Sequence, residues 1–118
     1  GDGMLVVQAG PFWYDHLNPT SAWVTKTADK YITVFVGLYL TESLSEVQIV
    51  VESASLKDYS LLDSGKIIRA PIQDTSLAIV DASGHNLILH SASGETVWFD
   101  AFAQTFSTPG IRDTTAQA

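Results

Sequence analysis

The alternation of side-chain types is clearest over residues 31–40. The even-numbered positions share aliphatic side chains: Ile32, Val34, Val36, Leu38 and Leu40. The odd-numbered positions include three aromatic rings: Tyr31, Phe35 and Tyr39. Because successive side chains of a strand point to opposite faces of the sheet, this segment is predicted to be a strand with an aliphatic face and an aromatic face.

Weaker alternation and short apolar runs predict further strands over residues 4–9, 23–27, 47–54, 66–70 and 97–106. The tripeptide Asn18-Pro19-Thr20 is typical of a turn, and residues 57–65 are predicted to be mostly loop. Helical periodicity is weak everywhere, and the β-branched residues at positions 47–51 disfavour a helix there.

The last third of the chain carries a weak repeat of ten residues, with Asp81-Ala82-Ser83-Gly84 followed by Ser91-Ala92-Ser93-Gly94. Each tetrad suits a hairpin loop, because Gly tolerates positive φ and Asp or Ser can hydrogen-bond the nearby backbone. The flanking residues 78–80, 87–89 and 97–99 are predicted to be the strands of an antiparallel meander. Short strands at this spacing indicate a sandwich or a barrel.

These patterns predict one all-β domain over residues 1–118, with a polar C-terminal tail from about residue 107. The predicted fold is an antiparallel β-sandwich, immunoglobulin/fibronectin-III-like or jelly-roll-like. The predicted core consists of aliphatic residues from four strands: Ile32, Val34, Val36, Leu38, Val47, Ile49, Val51, Ile79 and Leu89.

The charge balance bears on the partners. Thirteen acidic and six basic residues give a net charge of −7, and the basic residues are scattered along the chain. Nucleic acid is therefore not an expected partner, because its recognition needs clustered cations. No apolar run approaches the roughly 20 residues of a membrane helix, so no membrane insertion is expected. Neutral ligands such as glycans, and other protein surfaces, remain open.

No residue pattern indicates catalysis, a metal or a cofactor. The chain has no cysteine, and His85 and His90 would lie on opposite faces of a regular strand. Asp15, His16 and Ser21 include residue types used in acyl transfer, but no nucleophile-elbow motif accompanies them. The expected catalytic residues, metal ligands and cofactors are therefore none.

The aromatic residues are the better candidates for function. Trp13, Tyr14 and Trp23 are flanked by turn-forming residues, so core and surface positions are about equally expected. On the surface they would be ligand-binding residues, because Trp and Tyr offer flat contact area with a polar group, which suits sugars and protein interfaces.

The aromatic face of residues 31–40 has no obvious cover in so short a chain. If Tyr31, Phe35 and Tyr39 are exposed together, they would form a self-association surface, and we expect a homo-oligomer. The competing interpretation is that residues 12–23 fold over these rings.

Four segments resemble the fungal immunomodulatory proteins in order and spacing: residues 27–34, 50–53, 63–65 and 74–81. The resemblance extends over about residues 27–90 and implies a fibronectin-III-like sandwich, a non-covalent homodimer and lectin-like binding at cell surfaces. The N-terminal amphipathic helix of that family has no counterpart in residues 1–26, and residues 97–106 extend beyond the family's usual end. No binding residue is carried over.

Three classes of function follow. The first is a non-catalytic, self-associating and lectin-like binding protein, for which an extracellular or particle-surface location is favoured. The second is a structural subunit of a virion, a decoration layer or an extracellular filament, which apolar strands and a low charged fraction of 16% would also suit. The third, a small enzyme, ranks last because no set of acid, base and nucleophile is apparent.

Overall fold

The computed structural model describes residues 3–6 and 16–107, with the backbone alone described for residues 3–6, 64 and 65. Within these residues the chain forms nine β-strands and no helix. The strands are β1 (Gly3–Val6), β2 (Leu17–Lys26), β3 (Lys30–Leu40), β4 (Ser45–Ser55), β5 (Leu61–Arg69), β6 (Ala78–Ser83), β7 (Asn86–His90), β8 (Thr96–Asp100) and β9 (Thr105–Ser107).

The strands form two antiparallel sheets that pack face to face, which confirms the predicted β-sandwich. One sheet has the order β1-β2-β3-β4-β5 and the other β6-β7-β8-β9. Both are meanders, so among the described strands the chain passes between sheets once, over residues 70–77. Immunoglobulin-like and jelly-roll sandwiches instead have Greek-key connections between their sheets. This protein therefore shares the two-layer arrangement of those folds but not their strand connectivity.

The core lies between the sheets and contains the predicted aliphatic residues. Eight of the nine are buried, and the ninth, Leu38, is partly buried against the same cluster. Strands β3 and β4 supply Val34, Val36 and Ile49, each 0% exposed, to this cluster. The alternation along residues 31–40 therefore identified the inward face correctly.

The predicted turn at residues 18–20 is wrong, because these residues lie within β2. The strand accommodates Pro19 through a register shift between Pro19 and Ser21. Pro19 lies opposite Gly37, where an added Cβ would be 2.5 Å from Pro19 Cα and 2.5 Å from Asn18 O. Only glycine at position 37 lets the two backbones approach this closely.

Thr20 and Ser21, at this register shift in β2, help to join the two sheets. The Thr20 hydroxyl lies 2.6 Å from Leu77 O and 3.1 Å from Val36 O, so it can donate to either carbonyl. The buried Ser21 hydroxyl accepts the Ile79 N–H at 2.9 Å. Polar residues that are typical of turns here satisfy backbone groups where β6 meets β2.

Two other strand predictions are corrected. Residues 57–65 were predicted to be mostly loop, but β5 begins at Leu61 and pairs with β4. Residues 97–106 were predicted to be one strand, but a turn over residues 101–104 separates β8 from β9. The predicted tail beyond residue 107 and residues 7–9 of the first predicted strand lie outside the described residues.

Candidate ligand site at one end of the sandwich

Of the three predicted ligand-binding residues, Trp13 and Tyr14 lie outside the described residues. Trp23 is 1% exposed and belongs to the main core, so the prediction that it binds a ligand at the surface is wrong. The physical reason is its register: Trp23 pairs with Val34, which occupies the inward face of β3. Among residues 3–6 and 16–107, its indole Nε1 has no hydrogen-bond partner.

The three rings predicted for self-association do not form a continuous exposed row. Phe35 is 3% exposed and clusters with Leu17, Ala22 and Val50, and Tyr39 is partly buried against that cluster. Tyr31 is also only partly buried. Phe35 therefore has almost no surface to offer a partner, and contact through the two tyrosines stays a prediction.

The exposed rings gather instead where four turns meet. These turns join β2 to β3, β4 to β5, β6 to β7 and β8 to β9, and they carry the exposed rings of Tyr59, His85 and Phe102. The partly buried Tyr31, at the start of β3, lies against Tyr59. We call this part of the molecule the aromatic end. Its centre is Phe102, whose side chain is 49% exposed although the ring is apolar.

Asp100 holds the Phe102 turn in place. Its Oδ1 accepts the backbone N–H of Phe102 at 2.9 Å and that of Ala103 at 3.0 Å. The same oxygen lies 3.0 Å from His85 Nδ1, and the His85 ring stacks on Phe102 with centroids 4.3 Å apart and planes at 10°. One carboxylate thus fixes both the turn and the two rings that it presents.

The charge state of Asp100 follows from these contacts. Burial opposes its ionisation, but the backbone N–H groups of Ala103 and Phe102 and the His85 ring favour the carboxylate. The balance lowers the pKa of Asp100 below its ordinary value of 3.8. Asp100 is therefore ionised at neutral pH, and it accepts hydrogen bonds without donating any.

Two cavities flank Phe102. The first, of 370 Å³, lies between the sheets, and its lining includes Asp29, Asp63 and Gln104. The second, of 390 Å³, lies on the His85 side and is also lined by Lys26 and Thr27. Because Phe102 and Thr27 line both, the two cavities adjoin at the Phe102 ring, and we call the pair of cavities the cleft. Each volume lies within the usual range of small-ligand sites, roughly 300–1,000 Å³.

A second aromatic feature stands beside the cleft on the outer face of the larger sheet. Tyr59 stacks on Tyr31 with centroids 4.9 Å apart and planes at 16°, and their hydroxyls are 3.3 Å apart. Tyr59 is 69% exposed and has a φ of 62°, which is rare for a bulky residue. The turn imposes this conformation, since Tyr59 N donates to Ser55 O at 3.0 Å.

The charges of the cleft favour neutral ligands over anions. Three acidic residues and one lysine line the first cavity. Carboxylates accept hydrogen bonds from hydroxyl groups, an amide both accepts and donates them, and Phe102 offers an apolar surface between these groups. Among residues 3–6 and 16–107, no group of three or more His, Cys, Asp or Glu could hold a metal ion.

Sequence reasoning missed most of this site. It placed Phe102 within a single strand over residues 97–106, and it placed Tyr59 in a segment, residues 57–65, that was predicted to be mostly loop. The available signal was Asp100, since an Asp side chain can accept the N–H groups two and three residues later and so start a turn.

Comparison of the chain with protein-family models, curated proteins and solved structures found no match. The resemblance to the fungal immunomodulatory proteins is neither supported nor opposed by these comparisons. In the part of the chain that the structure describes, no helix is long and apolar enough to span a membrane.

Proposed function

We propose that this protein is a non-catalytic, self-associating and lectin-like binding domain, which holds a neutral glycan at the aromatic end. The observation that carries the proposal is the exposed Phe102 ring, fixed by Asp100 and His85 between two cavities lined by polar groups. An apolar ring exposed on a rigid turn is more typical of a binding surface than of a packing residue.

The chemistry of a pyranose suits this arrangement. One face of the sugar ring carries mainly C–H groups, which can stack on an aromatic ring, and its rim carries hydroxyls. Asp29, Asp63 and Gln104 offer acceptors and donors for those hydroxyls in the first cavity. The surplus of carboxylates there disfavours sialylated or sulfated glycans.

The test is a glycan array followed by titration calorimetry with the best neutral glycan. Phe102→Ala should weaken binding about tenfold or more, the scale of an aromatic hot-spot residue. The matched control is Leu44→Ala, because Leu44 has a similar exposure of 43% against 49% for Phe102 and lies in the turn between β3 and β4. Equal affinity of the two variants, or no neutral ligand on the array, would contradict the proposed site.

A structural subunit of a virion, decoration layer or filament is the second candidate. The observation in its favour is the large exposed apolar residues on edge strand β5: Leu61, Leu62 and Ile67. Such a subunit would assemble into closed or open arrays beyond a dimer. Light scattering across a range of concentrations separates the two candidates. A small enzyme remains the third candidate.

A further inference from the structure

Strand β5 is the last of the described strands in the larger sheet. Among the described residues, β5 pairs only with β4, so the other side of β5 presents unpaired backbone groups. Leu61, Leu62 and Ile67 on this strand are 55%, 57% and 58% exposed. An edge with this much exposed apolar surface needs either protection or a partner strand.

The sequence of β5 is self-complementary when it is read in the antiparallel sense. About a centre between Ser64 and Gly65, the acidic Asp63 is symmetric with the basic Lys66, and Leu62 with Ile67. Two copies of β5 placed antiparallel about this centre would therefore match opposite charges and apolar side chains on both sides of the axis.

The register of β5 on β4 satisfies a further geometric condition. Directly opposed residues of an antiparallel pair must lie on the same face of the sheet. Asp63 pairs with Ser53 and Lys66 with Val51, and Ser53 and Val51 are two residues apart on β4. Asp63 and Lys66 consequently share a face, although they are three residues apart in sequence. The extra residue at the register shift between Val51 and Ser53 makes this possible. A second register shift, between Ser53 and Ala54, limits the matched stretch to residues 62–67.

We propose that the partner of this edge is a second copy of the chain, and that β5 pairs with its symmetry mate to join two five-stranded sheets into one ten-stranded sheet. Charged residues and irregular register normally prevent edge strands from pairing indiscriminately. Here Asp63 and Lys66 are placed symmetrically, so they favour one register of pairing. In that register, Asp63 of each copy would lie opposite Lys66 of the other. The inference gives the self-association of the proposed function a surface, and it does not depend on the glycan site.

Charge reversal tests the pairing, with molar mass measured by size-exclusion chromatography and light scattering across a range of concentrations. The wild-type chain should be a dimer. Asp63→Lys and Lys66→Asp should each create two like-charge contacts and raise the dimer dissociation constant by about tenfold or more. The double variant, with both substitutions, should dimerise again because the opposite charges are restored. An equimolar mixture of the two single variants should form a heterodimer for the same reason.

The control variant is Glu42→Lys, which makes the same charge change as Asp63→Lys at an exposed residue outside β5 and should leave the dimer unchanged. Circular dichroism checks that each variant is folded. If the variants do not fold, hydrogen exchange of the wild-type chain shows whether β5 pairs with a second copy. The amides of residues 61–69 that point away from β4 should become protected as concentration rises.

Three results would overturn the inference: a monomeric wild-type chain, a dimer that the charge reversals leave unchanged, or a double variant that stays monomeric. Glycan binding is read separately, so a monomer that binds a glycan refutes the β5 pairing and the self-association but leaves the glycan site standing. A β5-paired dimer that binds no glycan refutes only the site, and Lys66→Asp keeps the two readouts apart because Lys66 does not line the cleft.

Discussion

At the scale of single residues, Asp100 couples the shape of the aromatic end to protonation. Its carboxylate accepts two backbone N–H groups and contacts His85, and it has a pKa below its ordinary value. The pKa values of Asp58 and Asp74 are lowered for a related reason. The main cause for each is a hydrogen bond from the side chain of the serine two residues later, and the second is a hydrogen bond from the backbone N–H of that serine. These carboxylates stabilise turns while they are ionised.

We expect acid to loosen the Phe102 turn. Because the pKa of Asp100 is lowered in the folded chain, its contribution to stability is complete above its ordinary pKa of 3.8 and is lost as the pH falls through the lowered value. Asp100→Asn, which removes the charge, should therefore lower the melting temperature at pH 7. The difference in melting temperature between the two proteins should become smaller as the pH falls towards the pKa of Asp100 in the folded chain. Melting curves of both proteins between neutral and acidic pH measure this difference. A constant difference across the range would show that the ionised state of Asp100 adds no stability.

Phe35 shows how far a residue pattern can predict burial. The alternation along residues 31–40 identified both faces of β3, and the structure confirms the aliphatic one as core. It could not say what covers the opposite face, because cover depends on segments that are distant in sequence. The structure buries Phe35 to 3% exposure and leaves Tyr31 in contact with Tyr59, a residue of the connection between β4 and β5.

At the scale of elements, the burial of Phe35 gives β3 a second apolar contact. We expect Phe35→Asp with Tyr39→Asp to prevent folding, because a carboxylate at a buried position next to Val50 would cost more than about 3 kcal/mol. Circular dichroism and urea unfolding measure the outcome. Tyr59→Asp is the control, since a side chain that is 69% exposed should tolerate the same charge in a folded chain. A folded and soluble double variant would mean that this face is covered by a partner and not by the chain itself.

The second half of β5 lies in the strand predicted over residues 66–70, but its first half, from Leu61, was missed for a local reason. Lys57-Asp58-Tyr59-Ser60 and Asp63-Ser64-Gly65 both look like turn sequences, but only the first forms one. The second lies in β5 at a register shift against β4, where pairing with a long neighbouring strand outweighs local preference. The Phe102 turn was missed for the opposite reason, since residues 97–106 were predicted to be one strand and the Asp100 hydrogen bonds interrupt it.

At the scale of the whole molecule, the two sheets are joined by one segment of the described chain. Gln73 fastens its first part to the larger sheet, since its Oε1 accepts the Val47 N–H at 2.8 Å. Asp74 and Ser76 fasten its second part to the smaller sheet, where Ser93 Oγ donates to Asp74 Oδ2 at 3.0 Å and Ala92 N to Ser76 Oγ at 2.8 Å. The segment thus divides naturally between residues 73 and 74.

We expect the chain to tolerate a break at this point. Fragments 1–73 and 74–118 should associate when they are produced together, because each sheet alone exposes an apolar inner face that only the other sheet covers. Co-purification through a tag on one fragment measures this association. The same break placed inside β3, between residues 35 and 36, is the control and should give no complex, because it divides a central strand. A fragment that is folded and monomeric by itself would contradict the expectation.

The direction of β5 also determines what a dimer could do with its two ligands. Strand β5 starts at Leu61, next to the turn that carries Tyr59, and runs away from the aromatic end. In an antiparallel β5 pair the two aromatic ends consequently point in opposite directions, with the second sheet of each copy on the same side. Such a molecule would bridge two separate surfaces and cross-link them, because its sites cannot both reach ligands on one flat surface.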